Sequence, residues 1–344
     1  MSYEAIRPLA DAEVVHVVGD VHGHLEPLVD LMGHLGLDPA SWPAGQVLVF
    51  VGDLTDRGPD SPGVVRLVGE LIASGRAQLV LGNHEMKLLD GRGPSDSASN
   101  HWFWGEQTPG YPLQAVADEA MRNELRAILE PNPIALDSDW LRVIHAAWLD
   151  EPLATCSALR TESGGDLWRK SRRMIRAQKP DFYDDLQERL HDRDAGAPAM
   201  SAGDFAALQA YELSKDDHPA GRLLSGPKCG AEAFFWGAKW RLAQRYDWWN
   251  HYPADAPPVV FGHYWRRPSS AGLKPGSLWA AVSPEAWLGP GRSAYCVDFS
   301  VGYRGHVLAG EQTLAAVSID RRSGATRLTD ETGRVRHLGD LPSP

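Results

Sequence analysis

The chain has 344 residues, 43% of them apolar and 23% charged, which is enough for a large core and ordinary for a folded, soluble protein. A formal net charge of −11 argues against binding bulk nucleic acid or anionic membrane surfaces, and no apolar run is long enough to span a bilayer or to serve as a secretory signal. The three cysteines, Cys156, Cys229 and Cys296, are too few and too scattered for a disulfide framework or a thiolate zinc site, so a cytoplasmic protein is expected.

In chain order, the first elements are short apolar strands separated by helices. Val14–Val18 and Val47–Val51 are β-branched and nearly continuous in apolar character, the pattern of strands buried on both faces. Between them Leu28, Leu31, Met32 and Leu35 recur at helical spacing. After the second run, Ser61 is placed to cap a helix with Pro62 at its first position, and Val64, Val68, Leu71 and Ile72 form one apolar face. A third strand is predicted at Leu79–Leu81 and a helix over residues 113–130. Residues 150–255 contain no clear buried strand and read as a helical insertion. Strands resume at Pro258–Phe261 and Tyr295–Phe299, and residues 330–344 read as a frayed tail. The alternation predicts an α/β sheet covered by helices.

Five of the apolar runs end alike. "VVHVVGDVHGH" delivers Asp20 and His22, "VLVFVGDLTDRG" delivers Asp53, and "AQLVLGNHE" delivers Asn83 and His84. "WLRVIHAAW" delivers His145 and "PVVFGHYW" delivers His263. In α/β sheets ligands gather at the carboxyl ends of strands, so these groups are expected at one edge. Any one motif alone is far more often a plain turn than a site. Their joint occurrence, in order and each after an apolar run, points to a site. Carboxylate, imidazole and amide ligands together suit Mn, Fe or Zn.

"GDVHG", "GDLTDRG", "GNHE", a later strand-end His and "GH" resemble the calcineurin-like metallophosphoesterases, more narrowly their phosphoprotein-phosphatase branch. The resemblance implies a central β-sandwich flanked by helices, within a domain spanning about 12–310 that carries the 150–255 insertion as a helical cap. It implies two divalent cations, Mn foremost and Fe or Zn as alternatives. Asp20 and His22 would hold the first, Asp53 both, and Asn83, His145 and His263 the second. His84 would be the general acid, with its tautomer fixed by Asp56, and Arg57 would grip phosphate. Water held between the cations would attack the phosphorus in line. The physical chemistry of paired cations, a planar guanidinium and a positioned imidazole suits these roles.

The remaining motifs bear on substrate. Arg169, Lys170, Arg172, Arg173, Arg176 and Lys179 are either the solvated face of an amphipathic helix or a cap receiving a polyanion, the former being the commoner case. The family uses a second phosphate-binding arginine before its last His motif, which singles out Arg241 and Arg245. Asp298, in "YCVDFSVGYRG", reads as structural. The complete "DRG" favours a phosphomonoesterase resembling serine/threonine phosphatases, because symmetrical dinucleoside tetraphosphatases lack that acid. "FGHYW" and "LVLGNHE" resemble the tetraphosphatases, so dinucleoside polyphosphates remain the alternative. RNA ends or cyclic nucleotides rank behind both, and a non-catalytic binding protein would require a lost ligand.

Overall fold

The structure is a computed structural model and describes residues 3–93, 99–108, 111–175, 179–194, 196–236, 239–269, 278–280, 282–304 and 312–341. The first half of the chain runs β1 (Ile6–Pro8), β2 (Val14–Val18), α1 (Leu25–His34), β3 (Gln46–Phe50), α2 (Ser61–Ala73), β4 (Ala77–Leu79), α3 (Asn83–Asp90), α4 (Glu119–Leu129), β5 (Ala135–Asp137) and β6 (Arg142–Ile144). Then follow α5 (Asp150–Ala158), α6 (Gly164–Arg173), α7 (Tyr183–His191), α8 (Ala202–Ser214), α9 (Pro219–Ser225) and the hairpin β7 (Lys228–Trp236) and β8 (Lys239–Arg245). The chain closes with β9 (Val259–Phe261), β10 (Ala294–Cys296), β11 (Ala315–Asp320), β12 (Ala325–Asp330) and β13 (Val335–Asp340).

Two sheets face each other. One has the order β13-β12-β11-β2-β3-β4 and the other β1-β5-β6-β9-β10. Val15, Val17, Val47 and Val49 of the first meet Leu136, Val143, Val260 and Tyr295 of the second in one apolar layer. The alternate residues Val18, Leu48 and Phe50 point outward and join Leu28, Leu31, Val64 and Val68 of α1 and α2. With both faces buried, these strands need continuous apolar runs, as their sequences have. β2, β3 and β4 are mutually parallel, as are β6, β9 and β10, so the strand-end motifs of each sheet emerge at one edge.

Several expectations change. Asp60, not Ser61, caps α2: its carboxylate accepts from Gly63 N at 2.8 Å, because Asp60 keeps a non-helical backbone while Ser61 is already helical. The helix expected over 113–130 is confined to Glu119–Leu129. Asp118 caps it, and the preceding residues are tied elsewhere, Ala117 N to Trp102 O and Gln114 to Ser61. The sheets outrun 12–310 at both ends, because Ile6–Pro8 pairs with β5 and Ala315–Asp340 supplies three antiparallel strands. Residues 330–344 therefore include an edge strand, in which Leu338 is the one buried side chain, too faint a pattern to read as a strand.

The insertion is not purely helical. Leu153, Leu167, Leu223 and Leu224 place α5, α6 and α9 in the main core. Only α7, α8 and the hairpin form a separate small core around Leu186, Leu190, Leu208 and Leu242. The basic stretch is largely spoken for: Arg169 donates to Leu89 O, Arg172 to Asp90, Lys170 pairs with Asp166 and Lys179 with Asp184. That is the bland reading of those residues; Arg176 lies outside the described residues.

Candidate metal centre

Asp20 follows β2, Asp53 follows β3, Asn83 and His84 open α3 just after β4, His145 follows β6 and His263 follows β9. All six are buried. Strands that stop to present side chains need unusual turns, and His22, Asp53, Asp56, Arg57, His263 and Trp265 all have positive φ despite their Cβ atoms. Each such conformation costs on the order of 1–3 kcal/mol and persists only where surrounding structure enforces it. Close approach is enforced too. A Cβ at Gly82 would collide with the Asp53 carboxylate, and one at Gly262 with that of Asp20.

Two clusters share Asp53, which stands with His145 and His263 on one side and with His22 and His84 on the other. In one, His145 Nδ1–H donates to Val51 O at 2.8 Å and His263 Nε2–H donates to Ser225 O at 3.1 Å. The remaining nitrogens, His145 Nε2 and His263 Nδ1, then face each other at 3.1 Å, with Asn83 Oδ1 at 3.2 Å and Asp53 Oδ1 at 3.4 Å from His145 Nε2. Four acceptors converging in a buried space repel unless a positive charge lies among them. The His145 imidazole shows that demand: burial pulls its pKa down, but the Asp53 carboxylate prevails and it is pushed up to about 9. In the other cluster, His22 Nδ1–H donates to Thr55 O at 2.9 Å. Its Nε2 faces Asp53 Oδ2 at 3.7 Å and Asp20 Oδ2 at 3.9 Å, and accepts from Arg57 Nη1 at 3.0 Å.

The two carboxylates differ in surroundings. Burial, then neighbouring Asp298, pushes Asp20 well above the usual carboxylate range. Burial acts the same way on Asp53, yet His145, His84 and His22 hold it well below that range. Pinned ring tautomers, lone pairs aimed inward and an N/O donor set fit divalent first-row cations.

In the second cluster, His84 Nδ1–H donates to Asp56 Oδ2 at 2.5 Å while its Nε2 points toward Asp53 Oδ2, 3.9 Å away, and Arg57 Nη2, 3.4 Å away. Asp56 is itself fixed, its Oδ1 accepting from Asn100 N and Trp102 Nε1, both at 2.8 Å. Arg57 lies over Tyr303 at 4.6 Å and Trp265 at 5.8 Å; Arg245 lies over the same Trp265 at 4.7 Å. Arg245 also donates to His263 O at 3.3 Å, which brings it to the site. Arg241 is four residues earlier on β8, opposite Phe234, and is not brought there. Asp298 holds the turn after His263, accepting from Trp265 N at 2.9 Å and Ser300 N at 2.8 Å, a structural task as expected.

Glu85 was quoted within "GNHE" without a role. Fully buried, it accepts from Asp53 N at 2.8 Å and from Leu54 N and Gly82 N at 2.9 Å, and so shapes the turn that presents Asp53. Burial, then Asp53, pushes its carboxyl up to about 7. Trp265 and Tyr303 were likewise given no role, although both lie within quoted motifs, "PVVFGHYW" and "YCVDFSVGYRG". Asn100 precedes, and Trp102 opens, a single 3-10 turn over Trp102–Trp104, too short to carry a pattern.

Residues 14–180 match the calcineurin-like phosphoesterase family, and the chain carries a domain of that family. Among curated proteins, an asymmetrical bis(5'-nucleosyl)-tetraphosphatase of Halalkalibacterium halodurans is 45% identical over 76 residues, 21% of this chain and 31% of that protein. Serine/threonine-protein phosphatase 1 of Salmonella typhimurium is 42% identical over 121 residues, 34% of this chain and 52% of that one. The chain thus spans at most about half the length of these relatives. A solved cold-active protein-tyrosine phosphatase of a Shewanella species covers 97% of this chain and 83% of its own at 14% identity, with a TM-score of 0.46. Among the described residues no helix is long and apolar enough to cross a membrane.

Proposed function

We propose that the chain is a dinuclear metal-dependent phosphoesterase that hydrolyses phosphomonoesters in the manner of a serine/threonine phosphatase. The observation that supports this best is one carboxylate, Asp53, addressing two nitrogen-rich clusters with an Asp56–His84 pair and Arg57 alongside. Asp20 and His22 would hold one cation, Asn83, His145 and His263 the other, and Asp53 both; Mn suits this mixed N/O set. When bound, such a pair of cations draws charge from the phosphoryl oxygens and acidifies a water for in-line attack. The chain's own residues do the rest. Arg57 presents a planar fork to two phosphoryl oxygens. Arg245, set against the same tryptophan, offers a second guanidinium to that group. His84, in its imidazolium form, delivers the Nε2 proton to the departing oxygen, while Asp56 accepts from Nδ1–H and holds the ring in place.

A second reading, hydrolysis of dinucleoside polyphosphates, is favoured by the local similarity to the Halalkalibacterium halodurans tetraphosphatase. The deciding experiment assays the Mn-supplemented protein side by side on a phosphoserine peptide, an aryl phosphate, diadenosine tetraphosphate and a 2′,3′-cyclic nucleotide. Release of phosphate from the first two supports the phosphomonoesterase. Turnover of diadenosine tetraphosphate alone would replace it with the second reading, and full activity after exhaustive metal removal would exclude both.

A further inference from the structure

Beyond Arg57 and Arg245, which address the reacting phosphoryl, two further cations and one carboxylate extend from Arg245 as a rim along one side of the site. Lys87 lies on α3, three residues after His84 and four after Asn83, and so shares their helix face one turn on. Helical side chains lean back toward the N-terminus, here toward the metal clusters. α3 packs against α9, and the residues leading into α9 bring Asp216 close. Lys228 Nζ donates to Asp216, and Lys228 stands directly across the hairpin from Arg245, which donates to His263 O. The rim therefore runs from His84 through Lys87, Asp216, Lys228 and Arg245 to His263.

The charges on this rim do not balance. Like charges directly opposite on a hairpin are destabilising, yet Lys228 and Arg245 are paired that way, with Asp216 as their neighbour. Lys87 is half-buried, and among the described residues it makes no hydrogen bond or ion pair. The charges it feels are those of Asp216, Asp53, Asp56 and Arg57, the groups of the rim and the site. Keeping an unpaired ammonium partly out of water is costly. In a chain of net charge −11, three cations gathered beside a phosphoryl site exceed what one phosphate needs.

We propose that Lys87 and Lys228, continuing the line of cations from Arg245, bind a second phosphate carried by the leaving group, so that the site prefers substrates bearing two phosphates. The proposal rests on the phosphoesterase reading for the placement of the reacting group. The test is calorimetric binding of methylphosphonate and methylenediphosphonate to the Mn-loaded full chain, which needs no turnover. The diphosphonate should bind roughly tenfold tighter or more in the wild type, the value of one added charge-assisted contact. Lys87→Met and Lys228→Met should each shrink that ratio several-fold, and Lys87→Arg should keep most of it. Misfolding would weaken both ligands alike and leave the ratio, so the ratio separates a binding role from a structural one. A wild-type ratio near one, no binding of either ligand, or a ratio unmoved by both Met variants would overturn the rim. Failure of the wild type to hydrolyse any phosphate ester would instead fault the phosphoesterase reading.

Discussion

Replacing His84 with Asn removes the one imidazole whose free nitrogen faces the site without being pinned by a backbone carbonyl. Its Nδ1–H is committed to Asp56 Oδ2 at 2.5 Å, and Asp56 Oδ1 is already filled by Asn100 N and Trp102 Nε1, so the ring has one stable orientation with Nε2 toward Asp53. A positioned acid of this kind contributes about 10²–10⁴-fold, and the contribution shrinks as the leaving group becomes more stable. A serine alkoxide needs that proton; a nitrophenolate scarcely does. His84→Asn should therefore lose on the order of 10²–10⁴-fold in kcat/KM on a phosphoserine peptide and far less on p-nitrophenyl phosphate. Asp56→Asn should show the same bias more mildly. The Asn oxygen can keep the Asn100 and Trp102 donors, which turns its NH2 against His84 Nδ1–H. One lost charge-assisted bond of about 1.5–3 kcal/mol corresponds to a loss of roughly 10- to 150-fold. Arg57→Ala should hurt both substrates about equally, since both present the same phosphoryl oxygens. The assay is kcat/KM for both substrates across the three variants, with metal content measured on each. An equal loss on the two substrates in His84→Asn, with metals intact, would refute the role of His84 as the acid.

Asp53→Asn should lower the metal content and cost more activity than His22→Ala, because Asp53 alone faces both clusters; retention of two metals by elemental analysis would count against a shared ligand. Trp265→Leu should raise KM about twofold to thirtyfold with kcat less affected, the worth of the stacked guanidinium contacts, and Trp265→Phe should recover most of it. Below about pH 9 the metal-free His145 carries a proton that a cation must displace, so Mn affinity should fall roughly tenfold per pH unit as pH drops toward 6. Titrations at pH 6, 7 and 8 giving one affinity would contradict that linkage.

The strand-end motifs were legible because each strand is buried on both faces, which makes its run continuous and its polar ending conspicuous. Edge elements were not. β13 buries only Leu338 within Val335–Asp340, and β1 is three residues long, so neither carries a period. The hairpin hid because, among its residues of described burial, Leu242 alone is buried, and Phe234, Phe235 and Trp240 are only half-buried, so no in-and-out alternation marks either strand. Roles that depend on backbone contacts are invisible in a residue string, and Glu85 is the clearest case. Its two oxygens take Asp53 N and Gly82 N on one side and Leu54 N, with Thr55 Oγ1 at 3.3 Å, on the other. In Glu85→Gln the carbonyl can keep Asp53 N and Gly82 N, while the NH2 faces Thr55 Oγ1, which turns to accept, and Leu54 N, which is orphaned at a cost of about 1–3 kcal/mol. The variant should lose roughly 1–3 kcal/mol in chemical denaturation and bind metal more weakly, because the strained turn at Asp53 (φ 50°) loses the carboxylate that holds it. Glu85→Ala, which lets water enter, should cost no more than that. If Glu85→Gln unfolds at the wild-type denaturant concentration with its metals in place, the turn is held by something other than this carboxylate.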